Sequence, residues 1–182
     1  MRKFLILIIV VQFAGCGSDT QPKPNAYLSL QYPNPDYEEI QDLRNFSFGY
    51  NTFATVNAKR SAAPRLVYPQ MKATLYLNYN PLEHNLDSLL NDAYQLPYKH
   101  ISKAESILEK LFVNEEKKVF GTLFSVVGNA ASQYQFFLTD STKHFLVGSL
   151  YFYARPNYDS IYPAADYLQK DIIHLIESFK WK

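Results

Sequence analysis

The chain has 182 residues, a net charge of +1, 47% hydrophobic residues and a single cysteine. This length and apolar content predict one domain with a real core and exclude a wholly disordered chain. The near-neutral charge, without a basic block, argues against nucleic-acid binding, and one cysteine excludes an intramolecular disulfide. Aromatic residues make up 16% of the chain, mostly Tyr and Phe, which favours a β-rich fold.

The first residues have the pattern of an export signal. Arg2 and Lys3 precede the apolar run 4–11, which is too short to span a bilayer. The following Phe13-Ala14-Gly15-Cys16 resembles the lipobox of bacterial lipoprotein signal peptides, although Phe13 stands where Leu is usual. The alternative is an ordinary secretory signal followed by an unrelated cysteine.

The lipobox resemblance implies a division of the chain. Residues 1–15 would be a signal peptide, and Cys16 would become the mature N-terminus and carry acyl chains such as palmitate. Residues 16–25, with Pro22 and Pro24, are predicted to be a lipidated tether, and 26–182 a single domain. Several acyl chains together hold a protein at a membrane almost permanently.

The first half of the domain has strand-like segments. Ala26–Tyr32 alternates and is predicted to be a first strand, whereas residues 37–45 are ambiguous. Phe46–Val56 has strand composition with interruptions. Met71–Tyr79 alternates cleanly and predicts a half-buried strand with one apolar face, made by Met71, Ala73, Leu75, Leu77 and Tyr79.

Leu86–Lys103 changes to helical spacing. Asn85 is the predicted N-cap, and Ile101 and Ala104 are expected to continue the apolar face. Pro97 disfavours helical geometry at the preceding residue and removes a hydrogen bond, so we expect this first helix to be kinked or broken there.

Ser106–Val113 fits a helix or a strand. Its leucines suit a helical face, but the polar break Asn114–Lys118 followed by Val119 and Phe120 indicates a hairpin. We predict a strand, and therefore a four-stranded meander from Ile107 to Ala154.

The stretch from Val119 to Arg155 contains three β-rich runs separated by the breaks 128–131 and 140–143, which is typical of an antiparallel meander. Alternation in the middle run predicts one face toward the core and one toward water, with Phe137 as an exception. The core face is Tyr134, Phe136 and Leu138, and the water face is Gln133, Gln135 and Thr139.

The C-terminal segment predicts an amphipathic helix with Pro163 in its first turn. Its apolar stripe should cover one face of the sheet, and it comprises Ala165, Leu168, Ile172, Leu175, Ile176 and Phe179. Strands, a helix, a strand meander and a second helix together predict an α+β fold with an antiparallel sheet flanked by helices. The order of elements also resembles the PsbP-like α/β/α sandwich.

The sequence contains no pattern that predicts catalysis. The four histidines lack metal-ligand spacing, and His174, next to the helix stripe, is predicted to be a packed or rim residue rather than a ligand. Asp140 and Ser141 beside His144 suggest a Ser-His-Asp triad, but side-chain bonding within a β-turn explains the same residues. We therefore predict no enzyme, cofactor or metal, while a weak hydrolase alternative at Ser141 and His144 stays open.

Two segments have more specific sequences than turns require. Gly128–Ser132 continues into small residues that permit close approach of another chain, and Arg155–Ser160 is a polar-aromatic connection. Simple turn chemistry is the alternative for both. The candidate partner contacts are Asn129, Ser132, Arg155, Asn157 and Tyr158.

Several long motifs resemble the GldD gliding-motility lipoproteins of the Bacteroidota. They are GNAASQYQFFLTDSTKHFLVGSLYFYARPNYDSIYP, DIIHLIESFKWK, YKH at 98–100 and KPNAYLSLQYP at 23–33. The resemblance covers Cys16 to Lys182. It implies a lipid-anchored, periplasm-facing envelope protein, on the inner or outer membrane, that supports gliding and type IX secretion without enzymatic activity.

The resemblance also implies partners, namely other gliding lipoproteins such as GldJ, whose stability the protein would support. Cys16 is the only site residue that carries over from the family. The second hypothesis, from the Tyr content, is a small-ligand or peptidoglycan-binding module with an aromatic cleft.

Overall fold

A computed structural model of the chain describes residues 30, 32–57, 64–99, 101–154 and 157–182. Within these ranges the protein has two helices and ten strands, which confirms the predicted α+β class. The helices are α1 (Leu86–Tyr98) and α2 (Tyr158–Ser178), and a 3-10 turn spans Pro69–Met71. The strands are β1 (Tyr37–Ile40), β2 (Phe46–Asn51), β3 (Thr55–Asn57), β4 (Arg65–Tyr68), β5 (Ala73–Pro81), β6 (Ala104–Asn114), β7 (Val119–Gly128), β8 (Ser132–Thr139), β9 (His144–Phe152) and β10 (Lys180–Trp181).

Seven strands form one antiparallel sheet in the order β3-β4-β5-β9-β8-β7-β6. The four strands β6 to β9 are the predicted meander, and the strand interpretation of residues 106–113 is correct. β5 pairs with β9 along its whole length, from Ala73 opposite Phe152 to Pro81 opposite His144. A small second sheet has the order β1-β2-β10.

The main core lies between the large sheet, α2 and the small sheet. The predicted apolar stripe of α2 is buried, from Ala165 to Phe179. It packs with Phe46 and Phe48 of β2 and with the inner face of the large sheet. The helix therefore covers one face of the sheet, as its 3.6-residue period predicts.

α1 covers the other face of the large sheet, so the prediction that one face of β8 points toward water is wrong. Gln133, Gln135 and Thr139 were expected to face water, yet every residue of β8 is buried. β8 is a central strand, and α1 contacts it from the side opposite α2. Phe137, the exception in the alternation, lies in this second core with Ala93, Phe124 and Phe145.

The first helix ends close to its proline, as expected. Pro97 lies in the last turn of α1, and the helix stops at Tyr98. Ile101 and Ala104 do not continue its face, which is a correction: Ile101 is exposed in a turn and Ala104 begins β6. Leu96 keeps helical conformation despite the following proline, but Pro97 has no N–H to donate one turn back, and the helix ends one residue after it.

The start of α2 and several short segments complete the comparison with the predictions. α2 begins at Tyr158, so Pro163 lies beyond its first turn, because Asn157 caps the helix earlier. The predicted strand Ala26–Tyr32 lies mostly outside the described residues, and Leu30 and Tyr32, which are described, are not in a strand. The ambiguous segment 37–45 contains β1, and the two-residue β10 was not predicted.

Candidate functional site

The predicted partner contacts lie around the turn between β7 and β8 and the start of α2. The Tyr158 N–H donates to Oδ1 of Asn129 at 2.8 Å, which joins the two segments. Asn157 Oδ1 accepts from the Ser160 N–H and caps α2. The structure therefore brings three of the five residues together, each with a local structural role.

Of the other two predicted contacts, the structure describes only Ser132. Ser132 is fully buried, and its hydroxyl donates to the Leu150 carbonyl oxygen at 2.8 Å. Ser132 therefore offers a partner no accessible side-chain atom, because it sits in a central strand. Arg155 lies outside the described residues, as does Cys16.

The residues of the hypothetical triad serve the turn between β8 and β9. Asp140 Oδ1 accepts from the N–H groups of Thr142, Lys143 and His144 at 2.8–2.9 Å. Burial alone would raise the pKa of this carboxyl, but these hydrogen bonds outweigh it and lower the pKa to about 2. The His144 Nδ1 is 2.7 Å from the Tyr79 hydroxyl, and its ring stacks on Trp181. The carboxylate of Asp140 therefore bonds to the backbone of the turn, while the imidazole of His144 has other partners.

His174 is a packed residue, as predicted. Its ring stacks on Tyr37 with centroids 3.6 Å apart. A Cβ at Gly49 would lie 2.7 Å from the His174 Nε2, so this strand position has room only for glycine. Among the described residues, no group of three His, Cys, Asp or Glu side chains could hold a metal ion.

A buried carboxylate joins the two sheets, and sequence reasoning missed it. Asp171 on α2 is 4% exposed and accepts from the Tyr37 hydroxyl at 2.9 Å and from the Asn51 amide at 3.0 and 3.2 Å. Burial raises the pKa of Asp171, while hydrogen bonds from Asn51, Tyr37 and Tyr68 oppose that rise. The available signal was a carboxylate inside the apolar stripe, between Leu168 and Leu175.

The outer edge of β6 carries exposed apolar side chains. β6 is the last strand of the large sheet and pairs with β7. Leu108 is 60% exposed, Leu111 71% and Val113 59%. We call these three residues the edge surface. Among the described strands none pairs with the outer edge of this eleven-residue strand, and such an edge with exposed aliphatic side chains can pair with another strand.

A second exposed surface lies on the other side of α1 from β6, over β5 and β9. It is a broad groove of about 550 Å³, and we call it the tyrosine groove. Its lining includes three tyrosines and two small polar residues: Tyr76, Asn78, Ser149, Tyr151 and Tyr153. The rings of Tyr76 and Tyr151 meet edge to face with centroids 5.9 Å apart. This surface combines aromatic faces with hydrogen-bonding groups.

These features define a small α+β domain whose distinctive surfaces are suited to binding. Residues 17–181 match the family described as gliding motility lipoprotein GldD. The chain belongs to that family, as its motifs indicated. It is therefore a gliding-motility-associated lipoprotein, and the family implies a membrane-anchored protein of the cell envelope.

Two further findings accompany this assignment. A search of curated proteins gives no match. In the part of the chain that the structure describes, neither helix has the length and apolar character needed to cross a bilayer.

Proposed function

We propose that the protein is held at the envelope by acyl chains on Cys16 and acts without enzymatic activity as a binding partner of other gliding and type IX secretion lipoproteins. GldJ-like lipoproteins, the partners that the sequence resemblance implies, would be stabilised by the contact. The gliding-lipoprotein family supports the setting. The edge surface on β6 is the observation that carries the binding role.

The physical reason is the character of the β6 edge. An open edge exposes backbone N–H and C=O groups to any other strand, and natural proteins usually protect such edges with charges, prolines or bulges. β6 has a register shift near its start and the charged Glu109 and Lys110 in its middle, but Leu111 and Val113 follow them on one exposed face, opposite Thr122 and Phe120 of β7. An extended strand of a partner would bond to the backbone and cover these aliphatic side chains.

The test replaces Leu111 and Val113 with Glu in cells that make the protein from its own locus. Both side chains are more than half exposed, so the free energy of unfolding should change by only about 0.5 kcal/mol. The level of the partner lipoprotein should fall and gliding should be lost, because the charges prevent strand pairing. The matched control is Ile101→Glu, which changes a residue of similar exposure away from β6.

Normal partner levels and normal gliding in the Leu111 and Val113 variant would overturn the role of the edge. An equal defect in the Ile101→Glu control would do the same, since it would reflect surface charge in general. For the anchor, Cys16→Ala should release the protein from the membrane fraction, and retained membrane association would count against lipidation at Cys16.

A further inference from the structure

The tyrosine groove exists because one short helix covers a wide sheet. Seven strands at about 4.8 Å spacing span roughly 29 Å, whereas a helix with its side chains is about 10 Å wide. α1 lies over β8 and β9, so among the described residues no helix covers the outer faces of β5 and part of β9. Thr74, Tyr76 and Asn78 on β5 stand opposite Tyr151, Ser149 and Val147 on β9.

The chemistry of this flank differs from that of the edge surface. The groove combines tyrosine rings with the small polar side chains of Asn78 and Ser149, and its remaining lining is apolar: Leu96, Ala131, Val147 and Phe152. Tyr153 is 61% exposed and Tyr151 is 37% exposed, so their ring faces are available. No lining residue is acidic, and the Arg65 guanidinium lies 5.2 Å from the centroid of the Tyr76 ring.

A saccharide chain matches these properties better than a protein surface does. Pyranose rings have an apolar C–H face that packs flat on an aromatic ring, and a rim of hydroxyl groups that need hydrogen-bond partners. Asn78 offers both a donor and an acceptor, as the hydroxyl of Ser149 does. The apolar residues of the groove, such as Leu96 and Val147, can pack on the same C–H faces of the sugar rings.

We propose that the tyrosine groove binds the glycan strand of the peptidoglycan cell wall. The sugar rings stack on Tyr151 and Tyr153, and their acetamido and hydroxyl groups bond to Asn78 and Ser149. This inference goes beyond partner binding and uses a different surface. It relies on the envelope location that the family implies, because the wall polymer is the glycan next to an anchored envelope protein.

The test measures binding of the mature chain to a soluble N-acetylglucosamine hexamer by calorimetry, and to purified peptidoglycan by co-sedimentation. Tyr153→Ala and Asn78→Ala should each weaken both kinds of binding, roughly tenfold for the tyrosine. The matched control is Tyr162→Ala, which removes a tyrosine 46% exposed on α2, outside the groove. It should bind like the wild type.

Three results would overturn the proposal: no binding to either ligand, equal binding by Tyr153→Ala, or equal affinity for a glucose hexamer that lacks acetamido groups. Crosslinking from Tyr153 to a protein, without glycan binding, would assign the groove to a protein partner instead. The Leu111 and Val113 variant should bind glycan normally, so a failure of the edge proposal and a failure of this one remain distinguishable.

Discussion

Removing the Tyr37 hydroxyl tests whether the buried carboxylate of Asp171 holds the small sheet on α2. Tyr37→Phe keeps the ring that stacks on His174 and deletes only the hydroxyl that donates to Asp171. A hydrogen bond to a charged group contributes about 1.5–3 kcal/mol. Because Asn51 and Tyr68 still donate to the carboxylate, we expect a loss of about 1.5–2 kcal/mol at neutral pH.

The pH dependence makes the test specific. Burial raises the pKa of Asp171 above its ordinary value, so the folded protein binds this proton more tightly than the unfolded chain does. The contribution of Asp171 to the free energy of unfolding is therefore greatest below the unfolded pKa of about 3.9 and falls as pH rises through the folded pKa. Deleting a donor to the ionised form raises the folded pKa further. The loss in Tyr37→Phe should thus be larger at pH 7 than near pH 4.

Urea unfolding of the mature chain at the two pH values measures both quantities. Tyr50→Phe is the matched control, because its hydroxyl donates to Glu38 at 3.4 Å on the exposed side of the small sheet. Its effect should stay within about 0.5 kcal/mol at either pH. A loss in Tyr37→Phe that is equal at both pH values, or no larger than that of the control, would refute the reasoning.

Three other substitutions test the large sheet by urea unfolding. Gly148→Ala places a methyl group 2.2 Å from a ring carbon of buried Phe136, so it should cost about 1–3 kcal/mol, and an unchanged midpoint would contradict that packing. The Gln135 Oε1 is buried without a hydrogen-bond partner among the described residues, so Gln135→Met should stabilise the fold by about 1 kcal/mol, and a lower midpoint would contradict this. Because the pKa of Asp140 is lowered in the folded state, its ionised carboxylate stabilises the fold above about pH 4, and this stabilisation is lost toward pH 2. Asp140 is partly exposed, so Asp140→Asn should lower the free energy of unfolding by only about 1 kcal/mol at pH 6. An equal loss at pH 2 would contradict the charge effect.

Local patterns predicted much of this fold because the strands of the meander are consecutive. Each hairpin from β6 to β9 has its own turn residues. Asp140 is an example, because its side chain accepts hydrogen bonds from backbone N–H groups of the same turn. The stripe of α2 was also readable, since its period directly reports a buried face. Burial of β8 on both faces could not be predicted from the sequence. Gln133 and Gln135 are polar, and only the packing of α1 against the sheet buries them.

The candidate site was less accessible to sequence reasoning. The edge surface depends on which strand ends the sheet, and that follows from β5 joining β9 on the far side of the meander. The pairing of β5 with β9 also places Tyr76 opposite Ser149, so the tyrosine groove is built from residues on two strands more than 70 positions apart in the sequence. Asn129 and Asn157, by contrast, were found because turn and cap residues are conspicuous, and they serve as such.

The two uncovered flanks follow from a single structural cause and should differ in function because their side chains differ. α2 and the small sheet close one face of the large sheet, so every exposed feature discussed above lies at its margin or beside α1. On the β6 side, aliphatic residues and an open backbone edge favour another polypeptide. On the β5 side, β9 pairs with the whole strand and β4 with Ala73–Tyr76, so this flank offers side chains more than an open backbone edge. A protein that joins a partner lipoprotein to the wall would need one surface of each kind.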